Sequence, residues 1–549
     1  MIHLFPKDTT IDLPEEFTNP FRYYPHRLVI TAADIVIENI RRSDLYTSFS
    51  EGKMIGILIV RDTSGNIGYI CGYSGNVGGQ NNIDGFVPPI YDLLNPDGYF
   101  KKGEQELNQL NISIKRQESS QETLSLKQQI SKYKADMETE ISKMKSAIAE
   151  AKKAREILRN ETHDPVVLEA LTKESQFQKA QLHRLKVEWK GKINEIQLKL
   201  QSIEDEIRQN KRLRAEKSEA LQKWIFSQYV VSNAEGEQAS IAEIFEKEGL
   251  TPPGGTGECA APKLLNYVYQ HNLTPIAMGE FWFGQSPDTA VRTHGHFYPS
   301  CTSKCGPLLS YMTKGLKVAD PFKSTSTLNE PTIVYEDSYI IALSKPSGMP
   351  SVPGLDGKES LLEWLNHKYC TTLHAVHRLD MDTSGIILFA KDESTATNLR
   401  KQFEDHSIRK TYRARLSSGK TTETNVPQTF RMEDVCKISL PLSPDYDERP
   451  RQKVDPIRGK EAITEYKVLN ISPDGYIDIE FYPITGRTHQ LRVHAAHTLG
   501  LGHPIVGDML YGGSISQRLF LHARSIVFTH PHTKKTIMLE TESNSWYEA

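Results

Sequence analysis

The stretch of this chain best equipped for chemistry is His377-Arg378-Leu379-Asp380-Met381-Asp382-Thr383-Ser384-Gly385. It is a polar loop that runs straight into Ile386-Ile387-Leu388-Phe389-Ala390, an apolar run of strand length. A carboxylate set just before a buried strand sits on a rigid element, which suits a nucleophile or a general base. The plainer reading is a turn with an Asp–Arg pair. A second constellation begins where Gly254-Gly255-Thr256-Gly257 leads into a helix with Cys259 near its start. His294, His296, Cys301 and Cys305 follow, the last two spaced C-x₃-C. Thiols and imidazoles are the ligand types of a zinc site, with buried free thiols as the plain alternative.

These residues need elements to hold them. At 549 residues the chain is too long for one core, so two or three domains are expected. Residues 104–228 contain almost no Gly or Pro and are rich in Lys, Glu, Gln and Leu. Apolar residues recur there at Leu126, Ile130, Tyr133, Met137, Ile141, Met144, Ile148 and Ala151, and again at Leu182, Leu185, Trp189, Ile193, Ile196, Leu200, Ile203 and Ile207. Steps of three and four mark two long helices with near-heptad seams. Between them, Asn160-Glu161-Thr162-His163-Asp164-Pro165 stops one helix and starts the next. A short link between two such seams predicts an antiparallel hairpin. Its charged faces read first as solvated surface, and second as an arm for RNA, a ribosomal contact or another protein. Ahead of it, Met54–Arg61 and Ile67–Tyr73 are β-rich and joined by Asp62-Thr63-Ser64-Gly65-Asn66, which predicts a β-hairpin. Residues 1–103 are too few strands for a domain alone. They are expected to pack with 229–318 as an α/β domain that the helical hairpin interrupts, with a further domain over 328–549.

Composition narrows the class. A net charge of −3 with 25% charged residues is ordinary, so any RNA-binding surface must be a local basic patch. No apolar run reaches the ~18 residues of a membrane span. The start, Met-Ile-His-Leu-Phe-Pro-Lys-Asp, shows no secretory pattern, and six cysteines are too few for a disulfide framework. A reducing cytoplasm is the expected location.

The loop at Asp380 resembles the catalytic loop of RluA-type RNA pseudouridine synthases, in which HRLD is followed two residues later by TSG. Further motifs stand in the family's order. Lys410-Thr411-Tyr412-Arg413-Ala414-Arg415 is similar to the strand that carries the active-site tyrosine. Arg449-Pro450-Arg451-Gln452-Lys453-Val454 with Glu465-Tyr466 is similar to an RluA insert. Gly486-Arg487-Thr488-His489-Gln490-Leu491-Arg492-Val493-His494, Gly502-His503-Pro504-Ile505-Val506-Gly507-Asp508, Leu521-His522-Ala523 and Thr529-His530-Pro531 complete the pattern. The resemblance spans about residues 330–540.

The resemblance implies an α+β fold with a mixed, mostly antiparallel sheet and a cleft across its middle. It implies Asp380 as the catalytic carboxylate, Tyr412 stacked on the uracil and Arg487 paired with Asp380. Arg378, Leu521, His377 and Thr383 would be substrate-binding, with Arg378 filling the gap left by the flipped base. The substrate would be uridine in 23S ribosomal RNA, in tRNA anticodon arms, or in both. Isomerisation requires no cofactor and no metal. His489, His494, His497 and His503 are read as structural.

The alternatives are an RNA-binding or assembly protein with a vestigial synthase domain, and a bifunctional synthase–deaminase. The chain order around Cys259, Cys301 and Cys305 resembles that of zinc-dependent nucleobase deaminases. It departs from them at Ala261, where that family has glutamate, and at the C-x₃-C spacing.

Overall fold

The computed structural model describes residues 1–288, 290–319, 330–354, 358–417, 434–446 and 448–541. The expected ends of the C-terminal domain, at 328 and 549, lie outside the described residues. The chain forms two compact units, Met1–Asp92 with Phe226–Ala549, and Leu93–Ile225. No helix among the described residues is long and apolar enough to cross a membrane.

The smaller unit is helical. Helices Tyr99–Glu118, Gln121–Glu161 and Pro165–Gln228 stand where the seams predict two. The extra break falls at Ser119-Ser120. Ser120 Oγ accepts the Thr123 amide at 3.1 Å and so caps a new helix, which hydroxyl side chains favour over a helix interior. At the hairpin bend, Asp164 accepts the Val166 amide at 2.9 Å, ahead of a helix that opens on Pro165. The antiparallel seam is direct. Tyr133 meets Trp189 edge-on at 5.7 Å, and Arg155 Nη1 donates to Gln178 at 2.9 Å.

In the larger unit, the N-terminal part is one antiparallel sheet in the order His3–Leu4, Ile67–Tyr73, Lys53–Arg61, Thr274–Phe283, Phe297–Tyr298. Strands from either side of the helical insertion therefore pair directly, Ile55 opposite Phe281. Helix Arg27–Arg41 buries Leu28, Val29, Ala32, Ala33, Val36 and Ile40 against one face. Helix Ala260–Gln270 lies on the other. A Cβ at Gly56 would stand 2.7 Å from Leu264 Cδ1 and 2.9 Å from Ala260 Cβ, so this strand position admits only glycine.

The C-terminal part is a sheet in the order Val435–Ser439, Ile463–Ile471, Ile477–Pro483, Arg409–Leu416, Leu521–Thr529, Ser384–Ala390, Ile340–Lys345, Thr332–Glu336. Among these described strands, Ser384–Ala390 and Leu521–Thr529 run parallel and the other neighbours antiparallel. One core, around Phe481, Ile479 and Leu491, covers one half of the sheet. Others, around Leu388 and Phe389, cover the other half. Tyr412 packs against cores of both halves, at the seam.

Candidate active site

The Asp380 turn enters the sheet at its parallel junction. The Thr383 amide donates to the Asp380 carbonyl at 3.1 Å, and the Thr383 side chain is buried. Thr383 thus shapes the turn from inside. Gly385 follows with φ +111° and lies so close to the neighbouring strand that a Cβ would be 2.2 Å from the Ala523 carbonyl oxygen. Only glycine permits that approach.

A second segment, Lys345–Ser351, grips the turn from below. The buried Lys345 ammonium donates to the carbonyls of Pro346, Met349 and Met381 at 2.9, 2.8 and 2.8 Å. Ser347 Oγ donates to the Asp382 carbonyl at 2.7 Å, and the Gly348 amide to Met381 at 2.8 Å. Ser351 Oγ donates to the Leu379 carbonyl at 2.8 Å and accepts its amide at 3.1 Å. Residues 379, 381 and 382 are therefore all tied by their backbones, so the carboxylate between them has little freedom to swing. Burial pushes Lys345 down to about 7, while the charges of Asp382 and Asp380 oppose that shift. The sequence reading missed this segment. Its signal was a lysine closing an apolar strand, a place where charge needs a reason.

Asp380 is only 21% exposed, and burial raises its pKa above the ordinary carboxylate range. Arg492 and Arg378 counter that rise, Asp382 adds to it, and Lys345 counters it again. The arginine closest to the carboxylate is Arg492, with Nη1 at 3.9 Å from Oδ2. Buried Asp508 fixes that guanidinium with two bonds of 2.7 Å, a planar fork–fork pair. The expected Arg487–Asp380 pairing is thereby corrected. Arg487 is exposed and spends its Nε on the Glu461 carbonyl at 3.0 Å. The reason is local. His489 adopts a left-handed backbone, φ +52°, and a helix starts at Gln490, which turns Arg492 inward and leaves Arg487 on the loop outside. His489 Nε2 stands 4.0 Å from Asp380, and burial followed by the Arg492 charge holds its imidazole well below its usual pKa, so it is neutral.

Tyr412 stands beside Asp380 on the central strand. Burial, then the Asp380 charge, raises its phenol pKa. The pairing of its strand with Leu521–Thr529 slips between Thr411 and Tyr412, and such a bulge re-aims a side chain. Leu521 is buried opposite Ala414, in a core that Tyr412 also touches. Arg378 is exposed, with its charge felt at both Asp380 and His489. His377 turns away from the cleft. Its Nε2 accepts the Leu388 amide at 3.0 Å, and burial pushes it down to about 3, so it anchors the adjoining strand. His494, His497 and His503 bond to Thr464, Asp288 and Ser417 at 2.9, 3.2 and 3.1 Å and do not gather.

The N-terminal part reaches this site. Arg22 Nη2 pairs with Asp382 Oδ1 at 2.7 Å, two residues from Asp380. Docking is secured elsewhere by the insert at 449–454. Arg451, buried beneath Tyr298 and Tyr511, donates Nη2 to the Val291 carbonyl at 2.6 Å and Nη1 to the Leu510 carbonyl. Arg292 pairs with Glu448. None of the contacts between the two parts was visible in the sequence, because Arg22–Asp382, Arg451–Val291 and Arg292–Glu448 are each separated by more than 150 residues and meet only once both sheets have formed.

Residues 339–497 match the family model described as RNA pseudouridylate synthase. The dual-specificity RNA pseudouridine synthase RluA of Haemophilus ducreyi is 40% identical over 215 residues, which are 38% of this chain and 91% of that protein. Its namesake in Escherichia coli is 38% identical over 205 residues, covering 36% of this chain and 87% of that protein. A solved structure, human RNA pseudouridylate synthase domain containing 4, is 22% identical with a TM-score of 0.31, covering 41% of this chain and 94% of that one. With 91% and 87% of the two RluA proteins covered at 40% and 38% identity, the chain belongs to the RluA family of RNA pseudouridine synthases.

Proposed function

We propose that Asp380 acts at the sugar of a uridine turned out of its RNA fold. A uridine stacked in a stem or folded loop hides its glycosidic bond, so it must be extruded before chemistry can begin. The N1–C1′ bond breaks, the uracil turns, and C5 bonds to C1′. C5 gives up its hydrogen and N1 gains one, so the reaction balances without a cofactor. Charge develops on the sugar, where a carboxylate stabilises it or adds to it. Arg492 favours the ionised carboxylate, Tyr412 lies under the uracil, and Leu521 forms the apolar wall. Arg378, exposed beside the turn, fills the space the base leaves. The observation that carries the reading is the meeting of Asp380, Arg492 and Tyr412 at one junction of the sheet.

The substrates are structured regions of 23S ribosomal RNA and tRNA anticodon arms, in the cytoplasm. Support comes from the relatives, whose names carry dual specificity. The test is tritium release from 23S and tRNA transcripts labelled at carbon 5 of uridine. Release from both is expected. Release from one alone would restrict the substrate range, and release from neither would remove these RNAs from the reading.

Arg22 is a positioning residue in this scheme. It balances Asp382, whose charge raises the pKa of Asp380. Arg22→Gln is expected to lower kcat about three- to tenfold, where a tenfold change corresponds to ~1.4 kcal/mol. KM for RNA should stay near wild type. The acid limb of the pH–rate profile should move to higher pH, because an unbalanced Asp382 makes Asp380 harder to ionise. An unmoved limb would reduce the contact to mere docking.

A further inference from the structure

Outside the catalytic cleft, three thiols converge in the N-terminal part. Cys259 stands at the start of helix Ala260–Gln270. Cys301 and Cys305 come from the turn between strand Phe297–Tyr298 and helix Gly306–Met312. The three Sγ atoms lie within 4.8 Å of one another, and none is in a disulfide. His294 and His296 do not join them. His294 Nδ1 accepts the Gly284 amide at 3.0 Å, and the His296 ring packs edge-on against Tyr298 at 4.9 Å.

We propose that Cys259, Cys301 and Cys305 bind one thiophilic divalent cation of the zinc class, with an exchangeable water as fourth ligand. Three features carry this. The first is size. Zinc–sulfur bonds of ~2.3 Å place tetrahedral thiolates roughly 3.8 Å apart, so small rotations from the present spacing close them on an ion. The second is the backbone. The amides of Lys304 and Cys305 donate to the Cys301 sulfur, which holds that side chain in place within the cluster. The third is the surrounding shell. The buried Glu280 carboxylate accepts the Ala261 amide at 3.1 Å and the Ser300 hydroxyl at 2.6 Å. It thus braces Ala261, two residues past Cys259, and Ser300, next to Cys301, and so ties both ligand segments together, as partners behind metal ligands do. Cys259 and Cys301 are partly open to solvent, which leaves a side for the water.

The site has a mechanical role. The Ser300 amide donates to the Pro20 carbonyl at 2.9 Å, two residues from Arg22. The Thr302 amide and hydroxyl reach the Arg449 carbonyl at 3.1 and 3.0 Å. A cation at the three sulfurs would therefore stiffen the turn on which both the Arg22 segment and the catalytic domain lean.

The test starts with metal content of the full chain purified under reducing conditions from zinc-supplemented cells. About one zinc per chain is expected, and Cys301→Ser should lose most of it. Cys370→Ser, outside the cluster, should keep it. Because Cys301→Ser could disturb folding, the metal-stripped wild type is also titrated with cobalt(II). Intense visible bands of tetrahedral cobalt and a thiolate-to-cobalt band in the near ultraviolet should saturate at one equivalent. Chains that arrive metal-free and give no cobalt bands would overturn the proposal. So would a disulfide between these cysteines found by mass spectrometry in freshly isolated protein.

Discussion

Asp380→Ala is expected to abolish measurable tritium release, a loss of about 10²–10³-fold or more, since deleting a single group aimed at developing charge costs about that much. Asp380→Asn should be equally inactive, since it keeps the shape and loses only the charge. The two together separate chemistry from architecture. Burial makes ionised Asp380 unfavourable in the fold. A carboxylate whose folded pKa is raised contributes stability that is full below its unfolded pKa and is lost as pH rises through the folded value. At pH 7 the charge is therefore a burden on the fold, and Asp380→Asn should melt no lower than wild type. Unfolding curves at pH 7 and pH 4 check this. The variant's advantage at pH 7 should shrink at pH 4, where the wild-type carboxyl takes up its proton. Full activity in Asp380→Ala would end the assignment of this residue. The same raised pKa places the acid limb of wild-type kcat/KM above the ordinary carboxylate range.

Asp508→Ala is expected to have the largest effect on stability. Asp508 is fully buried and holds Arg492 by two charge-assisted bonds. Removing it leaves a buried guanidinium without its main counter-charge, a change that typically costs about 3–5 kcal/mol. Asp380 would then be the nearest carboxylate to that cation. The freed guanidinium should swing toward it, lowering its pKa while spoiling its aim. Urea unfolding should show the stability loss, and the residual activity should have its acid limb moved to lower pH. A stability loss below ~1 kcal/mol would mean that the buried pair is not what orients Arg492.

Much of the site was legible because the family's motifs are contiguous. Asp380 and Tyr412 each lie in an unbroken run of residues, and the meaning of such a run survives without coordinates. Arg492 lies in an equally clear run, yet the resemblance points to Arg487 as the partner of Asp380, where the structure brings Arg492. Sequence spacing alone could not show that the left-handed turn at His489 starts a helix, and that turn decides which arginine points inward. His377 differs from the expectation for a related reason, since a histidine beside such a loop can face either way and this one bonds to a strand amide. Lys345 and Arg22 act from far along the chain, and their nearness depends on sheet closure. The helical arm was visible as periodicity, but the break at Ser119-Ser120 was not. Both flanking helices remain polar enough there that the seam gives no discontinuity.

The pairing of Ile55 with Phe281 across the helical insertion bears on how the chain emerges from the ribosome. The arm's contacts are local and can form as soon as its own residues have been translated, whereas strand Lys53–Arg61 must wait for Thr274–Phe283 to be made. Through that interval the strand is left with one bare edge. A nascent chain stalled before residue 283 should therefore expose an aggregation-prone edge, and one released after it should not.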